Sequence, residues 1–386
     1  MTEKTKLKIT TITPVTIGSG VELSPYADYI IDNNQICFID KKKMQDKILA
    51  KGDQHLDNYI YGVANGIDNN HIEFNLNDFL LNNKIVEDIN EIISSRCQFT
   101  TNTPQSKLPI KGMIKSPLQE PYFPGSSIKG ALKTVLMYNW LKTNKNADEM
   151  IEKVINDKNF NWLEKKFEYK ELDDGRSIPN TIRQVSDSKL LPKEANVVVD
   201  CYRAGLPLRF ECIDKGTTTE FELTLEDYKW EDLAEEANDY AFDCLSQEEY
   251  LIKRQIKQLS KVLDKCEDEE SATKLENFIE KLTNLKKHLL TIQDLIDESN
   301  IDMHTAYLRI GFGKGYYLNS LGVTIYDYVS QKGKEVLRNS FENYLQQTFK
   351  RKDLVIDDFP KTRLFVSKTQ EPLGWVKIEK IGLLND

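Results

Sequence analysis

Histidine is scarce in this sequence, and cysteine, though present, never occurs in close pairs. The four histidines (His55, His71, His288, His304) are scattered, no HxxxH spacing occurs and the lone HxE, His71-Ile72-Glu73, makes no ligand set by itself, so an imidazole-based metal enzyme has no framework here. The six cysteines, Cys37, Cys97, Cys201, Cys212, Cys244 and Cys266, lie far apart. Neither a zinc knuckle nor a disulfide framework follows from that spacing, and the thiols read as reduced. Long apolar runs are also missing: none approaches the roughly 20 residues that cross a bilayer. The first residues, MTEKTKLKITTITPVTIGSG, lack the apolar centre and small-residue cleavage site of a secretory signal. The expectation is a cytoplasmic protein with no membrane segment, no metal and no cofactor.

What is present is enough apolar material for a sizeable core. Of 386 residues, 40% are hydrophobic and 29% charged, which is ordinary for a globular chain. The length exceeds what one compact core usually organises. The reading is two domains, 1–225 and 226–386, the first carrying an insertion near 52–120 and the second an acidic helical hairpin at 231–298. The net charge of −9 argues at first against a polyanionic partner. Residues 226–300, however, hold 20 acidic against 10 basic side chains, leaving 42 basic and 41 acidic elsewhere. Acidity therefore belongs to one segment, while 104–135 carries Lys107, Lys111, Lys115, Lys129 and Lys133 against Glu120 alone.

Along the chain, LKITTIT (7–13) reads as a strand running into the loop PVTIGSG. YIIDNNQICFI (29–39) reads as a hairpin turning at Asp32-Asn33-Asn34. Residues 52–120 read as an excursion outside the core sheet. A helix is expected over 126–142, where Ile128, Leu132, Val135, Leu136 and Trp140 repeat at helical spacing. A polar helical stretch and linker follow at 144–180. Two or three strands are expected over 197–225, separated at Ala204-Gly205 and Lys215-Gly216. The acidic segment 231–298 carries two apolar seams, Ile252, Ile256, Leu259, Leu263 and then Leu275, Ile279, Leu282, Leu289, Ile292, Ile296, which suit an antiparallel helical hairpin. A helix near 329–349 with Val336, Leu337, Phe341 and Leu345 inward, and a terminal hairpin RLFVSKTQEPLGWVKIEKI, close the chain. That order of elements fits an α+β chain with two ferredoxin-like units.

Two stretches suggest an anion site. In YFPGSSIKGALKTVL (122–136) a chain arrives extended, turns at Pro124-Gly125 and enters a helix. Ser126 or Ser127 is suited to cap that helix, while uncommitted N–H groups, the positive dipole end, Lys129 and Lys133 favour a phosphate. A cap alone is the plainer reading. In LRIGFGKGYYLNS (308–320), Gly311, Gly313 and Gly315 alternate with Arg309 and Lys314 among them and Tyr316 and Tyr317 beside them. Glycines admit close backbone approach and a concave set of N–H donors, and tyrosines stack on bases. The stretch is no Walker A loop, because Gly315 follows Lys314 where Ser or Thr is required; a tight turn is the alternative. Between the two lies TIRQVSDSKL (181–190), with Asp187 read either as a turn former bonding its own backbone or, through Arg183, as part of a strand-positioning site.

TPVTIGSG (13–20), YFPGSSIKGALKTVL, RQVSDS (183–188) and RIGFGKGYY (309–317), taken together and in this order, resemble the RAMP superfamily of CRISPR-associated proteins. EPLGWVKIE (371–379) narrows the resemblance to the subunit at the crRNA 3′ end of type III-A Csm effector complexes. The resemblance implies a non-catalytic crRNA-binding subunit in antiviral defence, built from RRM-like units, with crRNA, an adjacent RAMP backbone subunit of the Csm complex and host nucleases as partners. It implies crRNA contacts at Gly18, Ser126, Ser127, Lys129, Lys133, Arg183, Arg309, Gly311, Gly313, Lys314, Gly315 and Tyr316. Related backbone subunits cut target RNA with an early-loop aspartate, for which Asp28 is the nearest candidate here. The competing reading is a RAMP endoribonuclease processing CRISPR precursor RNA, with His304 as its acid–base group.

Overall fold

The computed structural model describes residues 2–68, 74–101, 107–158, 181–203, 206–299, 304–315 and 321–383. In chain order the strands are β1 (Thr2–Thr11), β2 (Gly18–Leu23), β3 (Tyr29–Asp32), β4 (Gln35–Ile39), β5 (Ile93–Thr100), β6 (Ile110–Met113), β7 (Ile182–Val185), β8 (Asn196–Arg203), β9 (Leu206–Ile213), β10 (Thr218–Glu226), β11 (Thr305–Arg309), β12 (Leu364–Val366) and β13 (Trp375–Leu383). The helices are α1 (Lys41–Ala50), α2 (Asp53–Asp68), α3 (Leu76–Asn82), α4 (Gly125–Thr143), α5 (Ala147–Asp157), α6 (Trp230–Leu263), α7 (Glu269–Ser299), α8 (Gly322–Val329) and α9 (Glu335–Thr348).

The first sheet is five-stranded, in the order β11-β13-β1-β10-β7. Taken along the chain, β1, α4, β7, β10, α6 and β13 form a β-α-β-β-α-β unit. Its strands lie in the ferredoxin-like order fourth-first-third-second, with β11 added at the edge. In β1 every second residue is buried, so Leu7 and Ile9 face the core while the lysines between them stay half-exposed. α4 and α6 cover that inner face, through Ile128, Leu132 and Val135 on one helix and Trp230, Leu233 and Ala237 on the other. Strands from both sides of 225/226 share this sheet, so that position separates no two sheets.

The second sheet is eight-stranded, in the order β2-β6-β9-β8-β5-β4-β3, with β12 pairing β8 beyond β5. Its centre is the antiparallel pair β8–β9, flanked by parallel contacts of β5 with β8 and β6 with β9. α1 and α3 pack on its β3–β4 end through Met44, Ile48, Leu76 and Leu80. Five of the six cysteines are buried and all six are free thiols. The α+β architecture of two curled sheets is the expected fold class.

Several local expectations change. The 29–39 hairpin is present as β3–β4, with Asn33 at φ 44° and Asn34 at φ 61° supplying the left-handed turn. Residues 93–113, read as lying outside the core sheet, contribute β5 and β6 to it. The terminal hairpin is reduced to a tight turn at Val366–Glu371 with a Phe365–Pro372 bridge: β12 otherwise joins the second sheet and β13 the first, because each finds its main partner elsewhere in the chain. The helix near 329–349 is present as α9, preceded by the separate helix α8, with Phe341 and Leu345 buried but Val336 exposed rather than inward. The hairpin α6–α7 forms, but the first half of α6 is core of the first sheet, with Trp230, Ala234 and Ala241 essentially buried.

Candidate nucleic-acid interface

The start of α4 is a clasp between two distant segments. Its N-cap is Pro124, with no side-chain cap, and the helix begins at Gly125. Ser126 and Ser127 therefore sit inside the first turn rather than capping it. The capping oxygen comes from Asp187, whose Oδ1 accepts from the Gly125 amide at 2.7 Å. This corrects the reading of Asp187 as a self-bonded turn former. Ser188 completes the clasp: its Oγ accepts from the Phe123 amide at 2.9 Å and its own amide donates to the Phe123 carbonyl. Only glycine fits at 125, because a Cβ there would lie 2.4 Å from the Val185 carbonyl oxygen. The helix start thus already holds a carboxylate of its own, and the Ser126 amide is the next donor outward. Ser126 is exposed, Lys129 and Lys133 are half-exposed, and Lys129 Nζ reaches the Arg183 carbonyl at 3.4 Å. Arg183 is exposed, 3.9 Å from Glu226.

The glycine-rich loop leaves β11 at the end of the first sheet and lands on the N-terminal loop. Phe312 donates its amide to the Thr16 carbonyl at 2.9 Å, and a Cβ at Gly311 would lie 2.1 Å from that oxygen. Ile310 donates to the Gly374 carbonyl, and Gly374 in turn to that of Pro14. Gly311, Gly313 and Gly315 have φ of 81°, 94° and 74°. The loop is therefore left-handed at alternate residues, and the motifs TPVTIGSG, RIGFGKG and EPLGW meet in one backbone knot. Arg309 braces it from beneath. Its guanidinium is buried, donating to the Leu373 carbonyl (2.6 Å) and the Gly313 carbonyl (3.0 Å) and pairing with Glu248 at 3.3 Å. No face of Arg309 is left for a ligand, and its role is to shape the loop.

Lys314 is the exception. Burial, with the Arg309 guanidinium nearby, pushes its ammonium below the usual lysine range. Lys314 shares a narrow crevice with Ala131 and Thr134 of α4 and with Arg309. Ser127, Gly130, Ala131 and Thr134 follow helical spacing along one face of α4, and a Cβ at Gly130 would meet open space. The two glycine-containing sites are thus joined by a small-residue helix face running from the α4 start to Lys314. Gly18 opens the exposed strand β2. Tyr316 and Tyr317 lie outside the described residues.

The candidate catalytic groups stand elsewhere. His304 precedes β11 at the end opposite the glycine loop, with Nδ1 3.3 Å from Glu231. Five extended residues at about 3.3 Å each separate it from Arg309. Asp28 is nearly buried, accepting from the Ser24 amide at 2.6 Å and pairing with Lys41. Among the described residues no cluster of His, Cys, Asp or Glu could hold a metal ion, and no helix is long and apolar enough to cross a membrane. Sequence reasoning missed the Asp187–Gly125 bond, since no local signal links residues 62 apart. It also missed the cations Arg203 and Lys361, which share a cavity with Lys314.

A model of the RAMP superfamily matches residues 8–318. A protein of Methanocaldococcus jannaschii described as CRISPR system Cms protein Csm5 is 25% identical over 97% of this chain and 88% of its own. One of the same description from Streptococcus thermophilus is 30% identical over 57% of this chain and 63% of its own. Among solved structures, a chain of a Csm–crRNA–target RNA ternary complex of a type III-A CRISPR–Cas system superposes with a TM-score of 0.61 at 19% identity. That match covers 98% of this chain and 100% of the other. The crystal structure of T. onnurineus Csm5 superposes with a TM-score of 0.52 at 17% identity, over 96% and 99%.

Proposed function

Since the chain belongs to the RAMP superfamily, we propose that it is a crRNA-binding subunit of a type III-A Csm complex, seated beside a RAMP backbone subunit. It caps the crRNA 3′ end there and supports maturation by engaging host nucleases rather than by cutting. The similarity to Csm5 proteins over nearly the whole chain supports the assembly. One observation carries the RNA reading: Lys314, in no ion pair among the described residues, stands on the left-handed glycine loop in a crevice against Ala131 and Thr134 of α4, near the exposed Gly130. Phosphates run along that face of α4 between the Ser126 amide and Lys314, with Arg309 keeping the loop in shape, while Lys129 and Lys133, four apart on the adjoining side of α4, meet the strand at the helix start. Arg183 and Gly18 extend the contact on either side. The proposal contains no hydrolytic step, because His304 and Asp28 are engaged away from this track.

The test is RNA binding by the assembled complex across a salt series. Lys314→Glu is expected to weaken binding and to lower the slope of log K against log salt by about 0.7, one single-strand phosphate contact. Unchanged affinity and slope would remove the glycine loop from the interface. The 3′-end assignment is checked by sequencing the RNA that co-purifies with complexes holding or lacking this subunit: 3′ ends should change and 5′ ends should not.

A further inference from the structure

Beside the glycine loop lies a cavity of about 730 Å³, walled by residues 311–315, by the middle of α6 and by the segment 349–364. Its size falls within the roughly 300–1,000 Å³ typical of small-ligand sites. Its walls are of two kinds. Phe312 and Phe349 are 44% and 41% exposed, each with one side of its ring packed, Phe312 on Phe210 with centroids 5.2 Å apart, and the other part open. Leu251, Leu354 and Phe359 continue that apolar wall, and Phe349 packs on Phe359 with ring centroids 4.8 Å apart.

The second kind is charge. Three carboxylates line the cavity and each is neutralised by an arginine of this chain: Glu248 by Arg309, Asp353 by Arg351 at 2.9 Å, and Asp358 by Arg254 at 2.6 Å. Four further cations also line it: Arg363, which donates to Gln255 and to the Lys361 carbonyl, and Arg203, Lys314 and Lys361, none of which is in an ion pair among the described residues. The cavity is therefore apolar and ring-lined with an uncompensated positive rim. A flat ring carrying a phosphate answers both features. A peptide helix would match the apolar wall and leave the cations idle.

Lys314 belongs both to this cavity and to the crevice against α4. We propose that the cavity is a pocket for one unstacked nucleotide of the bound single strand, its base against Phe312 and Phe349 and its phosphate at Lys314, with Arg203 and Lys361 on the flanking phosphates. This rests on the RNA reading above and deepens it: the α4 face tracks the backbone, and the cavity takes a base out of the stack.

The experiment uses the assembled complex and a single-stranded guide in which one abasic nucleotide is scanned through the sequence, leaving every phosphate in place. One position should lose about tenfold in affinity, the worth of one stacked base. Phe349→Ala and Phe312→Ala should each lose a similar factor on intact RNA and little more on RNA abasic at that position, with unchanged salt slopes. Two aromatic variants guard against one that perturbs folding. If no abasic position matters and both variants bind as the parent does while Lys314→Glu still weakens binding, the pocket is refuted and the phosphate track stands. If Lys314→Glu is also silent, both fall. Occupation of the cavity by a segment of a neighbouring subunit, seen as crosslinks from Phe349→Cys to protein and none to RNA, also overturns the proposal.

Discussion

At Gly311 the requirement for glycine is double: φ is 81°, and a side chain would meet the Thr16 carbonyl oxygen at 2.1 Å. Gly315 shares the left-handed backbone but meets nothing. Gly311→Ala should therefore cost stability by about 2 kcal/mol or more, and Gly315→Ala only the smaller penalty of its dihedral; thermal unfolding of the two variants measures the difference. At Lys314, burial and Arg309 lower the ammonium's proton affinity. The charged form is the one that holds a phosphate, so binding should weaken as pH rises through that lowered value, below the ordinary lysine range near 10.4. Lys314→Arg, which stays charged, should hold affinity flat over the same range. Anisotropy titrations from pH 7 to 10 follow it. A parallel profile in the variant would show that another group titrates.

Among elements, α6 carries two burdens that the sequence placed in one acidic segment. Its first half packs against α4 and β11, and Glu236 lies in that contact, accepting from Asn139 and Tyr228. Burial, with Asp232 and Glu235 adding like charge, overrides those bonds and pushes the Glu236 carboxyl up to about 7. The sign follows from linkage. A folded-state value above the unfolded one, about 4.3, gives stability that is complete below pH 4.3 and lost as pH rises to about 7. Glu236→Gln should therefore match the parent melting temperature near pH 4.5 and exceed it at pH 8. A constant offset at both pH values would mean that the carboxyl is ionised throughout.

For the whole molecule, the two sheets share strands and loops from distant parts of the chain. Removing all of 231–298 would strip a helix from the first sheet. The tip is different: residues 261–276 are exposed or half-exposed, and contact with the second sheet comes after them, where Phe278 meets Tyr202 with ring centroids 5.8 Å apart. Replacing Lys261–Glu276 with a short turn should leave the melting temperature within a few degrees. Loss of assembly in that variant would assign the tip to a neighbouring subunit, and intact assembly would make it a passive extension.

What the sequence determined by itself was local and compositional. The Asp32-Asn33-Asn34 turn, the α4 periodicity, the apolar seams of α6–α7 and the acidity of one segment are all short-range signals, and each stands in the fold. The motifs were legible too, but not their physical roles. Arg309 looked like a phosphate ligand and is a buried brace, Ser126 and Ser127 looked like caps and the cap is Asp187, and β12 and β13 looked paired but lie in different sheets. Each depends on a partner tens or hundreds of residues away. Periodicity reports which face of an element is buried, whereas only the folded chain decides what covers it, and hence which cations stay unpaired beside Lys314 and which are already used.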